Sequence, residues 1–132
     1  MKFNYAQTED PPAPFISVTL SHDIHDERMV GINAKLDTGA DITAIPSKVV
    51  EQLNLRHSGE MAFEDFDGHL FHKNIYAVHI KLPTGQHGKI NVLTIPSDHV
   101  LLGRDVINQF RLLLDGPALT LEILESPSSN SY

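Results

Sequence analysis

The stretch LDTGADITAIP, residues 36–46, places a carboxylate between two apolar runs. The preceding run, residues 29–36, predicts a strand, so that Asp37 follows a strand directly. Gly39 lets the chain turn tightly behind the carboxylate. An isolated Asp-Thr-Gly is often an ordinary turn, because Asp and Gly are both frequent turn residues. The other interpretation is that Asp37 is a functional residue, with its carboxylate held at the edge of an apolar surface.

Composition limits the classes of protein that need to be considered. The chain has 132 residues, 41% of them hydrophobic, which predicts one globular domain with a single core. A formal net charge of -7 without a basic run argues against a nucleic-acid partner or an anionic membrane. The absence of cysteine excludes disulfides, a thiol nucleophile and a thiolate metal site. The sequence has neither an apolar signal core nor a membrane-length apolar run, so we expect a cytoplasmic protein.

The ends of the chain differ from its middle. Residues 1–14 are polar and rich in proline, and residues 126–132 form a polar, serine-rich tail. Both segments are predicted to be flexible. The folded domain is therefore expected to span residues 15–125.

Many short strands are predicted within this domain. Residues 15–20 and 29–36 favour a hairpin, and Asp67-Gly68 predicts a second hairpin within residues 61–82. Short helices are predicted from Ser47, interpreted as a capping residue, and over residues 103–110. A turn at 83–88, a strand at 89–95 and a closing strand at 117–124 complete the pattern. The pattern lacks βαβ alternation, which indicates a mostly-β fold with a closed or nearly closed sheet.

Two motifs in this order are more specific than one Asp-Thr-Gly. LDTGAD at 36–41 is followed downstream by VLLGRDVINQF at 100–110. Together they resemble the retropepsin-like family of single-domain aspartic proteases, and the resemblance covers roughly residues 15–125. It implies a retropepsin-like closed β-barrel of short strands, with a flap hairpin and one or two short helices, that is dimeric.

The chemistry of that family requires a pair of carboxylates. One carboxylate activates a water, and the other, protonated, polarises the scissile carbonyl. The chain contains one Asp-Thr-Gly, so a second Asp37 would have to come from another copy across a two-fold axis. The resemblance thus implies an aspartic endopeptidase active as a homodimer on peptide or protein substrates, with Asp37 catalytic and no cofactor.

The resemblance also assigns supporting roles beside Asp37. Thr38 would hydrogen-bond across the dimer axis, and the N–H of Gly39 would approach the carboxylate pair. Ala40 offers no hydroxyl donor to that pair, so the shared proton should be retained to higher pH. We therefore expect activity at mildly acidic to near-neutral pH.

Asp41 and Arg104 are expected to form a structural ion pair that ties the Asp37 loop to the downstream helix. The resemblance implies a partly buried pair near the dimer interface. The alternative is that both residues are exposed surface charges. Loss of Arg104 would then have little effect on the dimer.

Substrate contacts are expected from two regions. The hairpin tip would act as a flap over an extended peptide. The flap residues are Phe66, Asp67, Gly68 and His69, and apolar subsites are expected from Ile42, Ile45, Leu101 and Leu102.

The eight histidines do not predict a metal centre. In a strand or turn, the spacing of the pairs His22/His25 and His69/His72 brings two imidazoles together less reliably than an i, i+4 pair on a helix does, and a third ligand is not obvious in the sequence. Lys35, two residues before Asp37, departs from the family pattern. The Lys35 side chain either places a positive charge near Asp37 or points outward.

Two other functions remain open on the sequence alone. The chain could be a catalytically inactive retropepsin-like binding or dimerisation module, or an unrelated β-barrel that binds a ligand. The intact Asp37-Thr38-Gly39 favours the protease, because a scaffold has no need of a desolvated carboxylate pair.

Overall fold

The computed structural model describes residues 1–124, so the predicted tail at 126–132 lies outside the described residues. The described chain contains ten strands and two helices, which confirms the mostly-β prediction. The strands are β1 Lys2–Asn4, β2 Phe15–Ser21, β3 Met29–Leu36, β4 Ala44–Pro46, β5 Arg56–Glu64, β6 Leu70–Lys81, β7 His87–Ile95, β8 Val100–Leu102, β9 Arg111–Asp115 and β10 Thr120–Leu124. The helices are α1 Ser47–Leu53 and α2 Arg104–Ile107. Within residues 1–124, neither helix has the length and apolar character needed to cross a membrane.

The strands form two sheets. A seven-stranded sheet has the order β2-β3-β8-β4-β7-β6-β5, with an additional pairing of β2 to β6, and a three-stranded sheet has the order β1-β10-β9. β3 and β8 are parallel neighbours, with Leu36 opposite Leu102. The two sequence motifs that follow these strands therefore emerge side by side. Closure of the sheet into a barrel and dimerisation stay predictions.

One apolar core joins both sheets and both helices. It includes the fully buried side chains of Leu20, Ile45, Leu102 and Leu121. Burial of apolar surface of this kind is worth roughly 25 cal/mol per Å². The core thus fixes β3, β4 and β8, the strands that carry the candidate site.

The predicted hairpins are confirmed where the pairing is local. β2 and β3 pair in antiparallel fashion over their whole lengths, and β5 pairs with β6 across residues 65–69. Gly68 lies in the turn between β5 and β6 with a φ of 82°, and Gly85 lies in the turn between β6 and β7 with a φ of 92°. This conformation favours glycine. The second hairpin begins earlier than expected, at Arg56, because a register irregularity between His57 and Gly59 breaks the alternation that marks a strand.

Helix α1 begins at Ser47 as predicted, but not for the predicted reason. Pro46 occupies the capping position, and no side chain caps the helix. The Ser47 hydroxyl instead donates to the carbonyl of Ile95 at 3.2 Å. The serine therefore links the helix to β7. The helix ends at Leu53, and the capping residue that follows, Asn54, has a φ of 50°.

The segment 1–14 contains a strand, and its predicted flexibility stays a prediction. Lys2–Asn4 pair with β10, and Ala6 bridges Ala13, whose side chain is buried. The N–H of Leu36 also donates to the carbonyl of Pro14 at 3.0 Å. The composition of this segment could not reveal the pairing, because its partner lies at the other end of the described chain.

Strand β6 carries one buried histidine, His79. The His79 side chain is only 8% exposed, and its Nε2 lies 3.0 Å from Nδ1 of His87. Its Nδ1 lies 3.4 Å from the Ser21 hydroxyl. Burial, together with the charge of His87, lowers the pKa of His79 below its ordinary value of 6.5. His79 is thus kept neutral by its surroundings near neutral pH.

Candidate active site

Asp37 lies immediately beyond β3, where its backbone is fixed by the neighbouring strand. Its N–H donates to the carbonyl of Leu102 at 2.9 Å, and its own carbonyl accepts the N–H of Ala40 at 3.1 Å. The N–H of Gly39 donates to the Asp37 carboxylate at 3.0 Å. A hydrogen bond from a backbone N–H fixes the orientation of a carboxylate.

The Asp37 loop faces outward. Asp37 and Ala40 are half-buried, while Thr38 and Gly39 are exposed. A Cβ atom added at Gly39 would lie 3.3 Å from the Asp37 carboxylate oxygen, so glycine leaves room for the close N–H contact. The exposed Thr38 and Gly39 are the residues that the resemblance assigns to a dimer axis.

Arg104 joins the Asp37 loop to helix α2. Its backbone N–H donates to the Ala40 carbonyl at 2.8 Å, and its guanidinium donates to the Thr38 carbonyl at 2.6 Å. The same guanidinium contacts the Asp41 carboxylate. Arg104 therefore holds the loop at three points.

The Asp41–Arg104 pair is more exposed than expected. The side chains of Asp41 and Arg104 are 86% and 43% exposed in the single chain, whereas the sequence predicted a partly buried pair. The loop that carries Asp41 stands on the surface, so water reaches the carboxylate. Exposed ion pairs are worth about 0–1 kcal/mol, so the pair orients the loop more than it stabilises the fold.

A second, buried link between the two motifs was missed by the sequence analysis. The hydroxyl of Thr43 donates to Asp105 at 2.8 Å and accepts the N–H of Gly103 at 3.1 Å. The N–H of Thr43 also donates to Asp105, at 3.2 Å. Thr43 is fully buried. The motifs LDTGADIT and LLGRD supplied the residue types, but the pairing of β8 with both β3 and β4 brings them together.

Gly103 is where the two motifs approach most closely. A Cβ atom at this position would lie 2.7 Å from the backbone carbon of Ile42 and 3.0 Å from the carbonyl oxygen of Ala40. Both are backbone atoms, which cannot move aside cheaply. Glycine is therefore required here for space.

The predicted flap is an exposed hairpin tip. Residues 66–69 are all exposed, and Phe66 projects fully into solvent. Asp65, which the sequence analysis did not select, organises the turn: its carboxylate accepts the N–H groups of Asp67 at 2.9 Å and His69 at 2.8 Å. Farther down the hairpin, the rings of Phe63 and Phe71 stack at 5.7 Å. An Asp two residues before Asp67-Gly68 is the sequence signal that could have identified this role.

The prediction of apolar subsites is wrong for two of its four residues. Leu102 and Ile45 are fully buried in the core and cannot contact a substrate. Side chains alternate along β8, so Val100 and Leu102 point into the core and Leu101 does not. Leu101 and Ile42 are half-buried and remain candidate contacts.

Lys35 points away from the site. Its ammonium lies 3.6 Å from the Glu9 carboxylate in the N-terminal segment. This contact favours the outward-pointing interpretation of the lysine. Its charge is thereby matched by Glu9.

Metal-ligand geometry occurs in one group of described residues. The ligand atoms of Asp65, Asp67 and His69 lie within 4.8 Å of one another, all on exposed side chains. Of the two histidine pairs noted in the sequence, only His69 belongs to such a group among residues 1–124. One oxygen of the Asp65 carboxylate, Oδ1, already accepts both N–H groups of the turn.

Comparison with known proteins places this geometry in a structural class. No protein-family model and no curated protein sequence matches the chain. Among solved structures, the simian foamy virus (mac) protease is 21% identical with a TM-score of 0.56, over 72% of this chain and 92% of that one. EIAV protease in complex with the inhibitor HBY-793 is 24% identical with a TM-score of 0.55, over 74% and 86%. A retropepsin-like aspartic protease from Rickettsia conorii is 15% identical with a TM-score of 0.59, over 93% and 88%.

The fold of this chain is retropepsin-like. The Rickettsia protein is similar over nearly the whole of both chains, so the resemblance extends beyond the two motifs. At these identities the likeness concerns the fold. Activity has to be argued from the residues around Asp37.

Proposed function

We propose that the protein is an aspartic endopeptidase that is active as a homodimer. The observation that carries the proposal is the Asp37 loop: its carboxylate is oriented by the N–H of Gly39, and Arg104 holds the loop through the carbonyl of Thr38. The retropepsin-like fold supports the same conclusion. One chain supplies one such carboxylate, so the second comes from a second copy of the chain.

The mechanism uses the two Asp37 carboxyl groups as an acid and a base that share one proton. The ionised carboxylate removes a proton from a water, and the water oxygen attacks the scissile carbonyl carbon. The protonated carboxyl polarises the carbonyl oxygen and donates its proton as the tetrahedral intermediate forms. Transfer of a proton to the amide nitrogen then lets the C–N bond break, which releases an amine and a carboxylic acid.

The substrate class follows from the exposed hairpin and the remaining apolar contacts. An extended peptide bound beneath the hairpin tip, residues 66–69, would hydrogen-bond through its backbone. Ile42 and Leu101 are half-buried and offer apolar contacts to its side chains. We infer a protein or peptide substrate with apolar residues near the cleaved bond, and closure of the tip would exclude water.

The test is cleavage of a diverse peptide mixture by the purified protein and by Asp37→Asn, at equal high concentration and mildly acidic to neutral pH. Asp98→Asn is the matched control, because the Asp98 side chain is 90% exposed and lies outside the loop. We expect cleavage by the parent and the control and none by Asp37→Asn. If none of the three cleaves while the parent is a confirmed dimer, the chain is an inactive binding or dimerisation module.

A further inference from the structure

Three polar side chains lie in a row on one face of the seven-stranded sheet, across β2, β6 and β7. Ser21 is opposite His79 in the β2–β6 pairing, and His87 is diagonal to His79 across β6 and β7. Diagonal positions of an antiparallel pair share a face and are within reach of long side chains. The Ser21 hydroxyl lies 3.4 Å from the His79 ring, which in turn lies 3.0 Å from the His87 ring.

The two facing ring nitrogens are spaced as two ligands of one metal ion would be. Nε2 of His79 lies 3.0 Å from Nδ1 of His87, and the ring centroids are 5.0 Å apart. Two imidazole nitrogens that each lie about 2.0–2.1 Å from one Zn²⁺ are about 2.9–3.4 Å from each other, at bond angles of about 90–110°. An ion can therefore replace the hydrogen bond between the rings after small rotations of the two side chains.

The Ser21 hydroxyl determines which nitrogen of His79 carries the hydrogen. Ser21 Oγ donates to the carbonyl of Asp23 at 2.8 Å, so toward His79 it can only accept. Nδ1 of His79 therefore carries the hydrogen, and Nε2 presents its lone pair to His87. Donation from the second ring nitrogen to a neighbouring oxygen is how proteins fix the orientation of a metal-binding histidine. His79 is thus already held in the tautomer that binds a metal through Nε2.

An ion can reach both rings from solvent. His79 and His87 line a groove with a volume of about 1340 Å³, and His87 is itself exposed. Burial lowers the pKa of His79, so near neutral pH no proton occupies Nε2. Water in the groove can supply the remaining ligands. Among the described residues, the lining of this groove includes none from 36–46, so the groove is separate from the Asp37 loop.

The ligand type selects the class of ion. Imidazole nitrogen suits Zn²⁺, Ni²⁺ and Cu²⁺, whereas Mg²⁺ and Ca²⁺ prefer oxygen ligands. The charges around the pair are mixed: Lys81 and Lys89 oppose a cation at His79, and Asp23 favours one. These charges lower or raise the affinity for any divalent ion alike. The two neutral rings therefore decide which ions bind.

We propose that His79 and His87 form a binding site for a divalent transition-metal ion, which ties β6 to β7 beside the β2–β6 pairing. On binding, His87 carries its hydrogen on Nε2 instead of Nδ1, so no net proton is released. The pair offers one side-chain ligand fewer than the exposed group of three at the hairpin tip. In return, the His79 ring is buried and already oriented by Ser21. The site goes beyond the proposed protease activity and does not depend on it.

The first experiment is calorimetric titration of the untagged protein with Zn²⁺ at neutral pH. We expect saturable binding by the parent, and binding about tenfold or more weaker by His87→Gln, which loses one of the two ligands. His87 is exposed, so this variant should fold. His69→Gln is the matched control, because it removes the histidine of the hairpin-tip group and should bind like the parent. Absence of binding by the parent would overturn the proposal, as would weaker binding by His69→Gln with His87→Gln unaffected.

The second experiment identifies the ligand atoms by nitrogen NMR of isotope-labelled histidine rings, which resolves Nδ1 and Nε2 of each ring. Zn²⁺ should shift Nε2 of His79 and Nδ1 of His87, and Mg²⁺ at the same concentration should shift neither. The exposed His25 should be unaffected by both ions. Shifts confined to exposed histidines other than His87 would show adventitious surface binding and overturn the site. Asp37→Asn should bind Zn²⁺ like the parent, so the result for the metal stands apart from the result for cleavage.

Discussion

Thr43 is the residue whose single hydroxyl joins the two motifs. It donates to Asp105 and accepts from the N–H of Gly103, both in the interior. Thr43→Val keeps the shape but removes both hydrogen bonds, which leaves the buried N–H of Gly103 without a partner and Asp105 Oδ1 with only the N–H of Val106. We expect the free energy of unfolding to fall by about 1–3 kcal/mol, measured by urea denaturation.

Thr43→Ser is the control for that prediction, because serine retains the hydroxyl and loses only a methyl group. It should recover most of the lost stability. If Thr43→Val and Thr43→Ser are equally stable, the hydroxyl network contributes nothing and packing alone holds the motifs together.

Gly103 tests the close approach of the two motifs. Gly103→Ala places a Cβ atom 2.7 Å from the backbone of Ile42, so the segments that carry these two residues must separate slightly. We expect a loss of about 1–3 kcal/mol in the free energy of unfolding, by overpacking. Gly88→Ala is the matched control, because a Cβ atom at Gly88 would meet nothing within 4 Å. A Gly103→Ala variant as stable as Gly88→Ala would contradict the packing.

At the scale of elements, the hairpin between β5 and β6 depends on Asp65. Asp65→Ala removes the acceptor for the N–H groups of Asp67 and His69, which should loosen the tip by about 1 kcal/mol. Global stability should change little, because the tip is exposed. In the proposed enzyme the catalytic efficiency should fall together with amide protection at the tip, measured by peptide cleavage and hydrogen exchange.

Asp65→Asn is the control for the hairpin, because its side-chain oxygen still accepts both hydrogen bonds. It should retain most of the efficiency and protection. Unchanged hydrogen exchange at residues 66–69 in Asp65→Ala would show that the backbone alone holds the turn.

The elements that the sequence could predict are those built from local signals. The β2–β3 hairpin and the Asp67-Gly68 turn combine strand patterns with turn residues a few positions away. Strand β1 could not be predicted, because its partner, β10, lies at the other end of the described chain. The sequence also could not predict which side chains of β8 face the core, since Val100, Leu101 and Leu102 are all apolar and show no alternation.

The same division applies to the site. Asp37 and the contact between Asp41 and Arg104 could be read from two motifs, because each motif has a fixed internal spacing. The bond between Thr43 and Asp105 joins residues 62 positions apart, so it depends on how β8 pairs with β3 and β4. Exposure of the ion pair likewise depends on the fold around it.

At the scale of the whole molecule, His79 couples folding to pH. Its ring is buried and shares a hydrogen bond with His87. Burial lowers the pKa of His79 most, and the charges of His87, Lys89 and Lys81 lower it further, while that of Asp23 raises it. Protonation of His79 in the folded state is therefore opposed by burial and by charges on β7 and on β6 itself, and only Asp23 favours it.

The direction of the effect on stability follows from proton binding. In the unfolded chain His79 has its ordinary pKa of 6.5, whereas the folded pKa is lower. Above 6.5 neither state is protonated and the folded state carries no penalty. As the pH falls through 6.5 toward the folded pKa, the unfolded state binds more protons and is favoured. The free energy of unfolding should therefore decrease on mild acidification.

Urea denaturation of the parent and of His79→Gln, at about pH 7.5 and about pH 5.5, tests this linkage. The parent should lose more stability on acidification than the variant, because glutamine does not titrate. His25→Gln is the control: His25 is exposed, so its removal should leave the pH dependence of the parent unchanged. An equal loss in the parent and in His79→Gln would assign the pH dependence to other groups. A smaller loss in His79→Gln would mean that one buried ring, held between β2 and β7, makes the fold sensitive to acid.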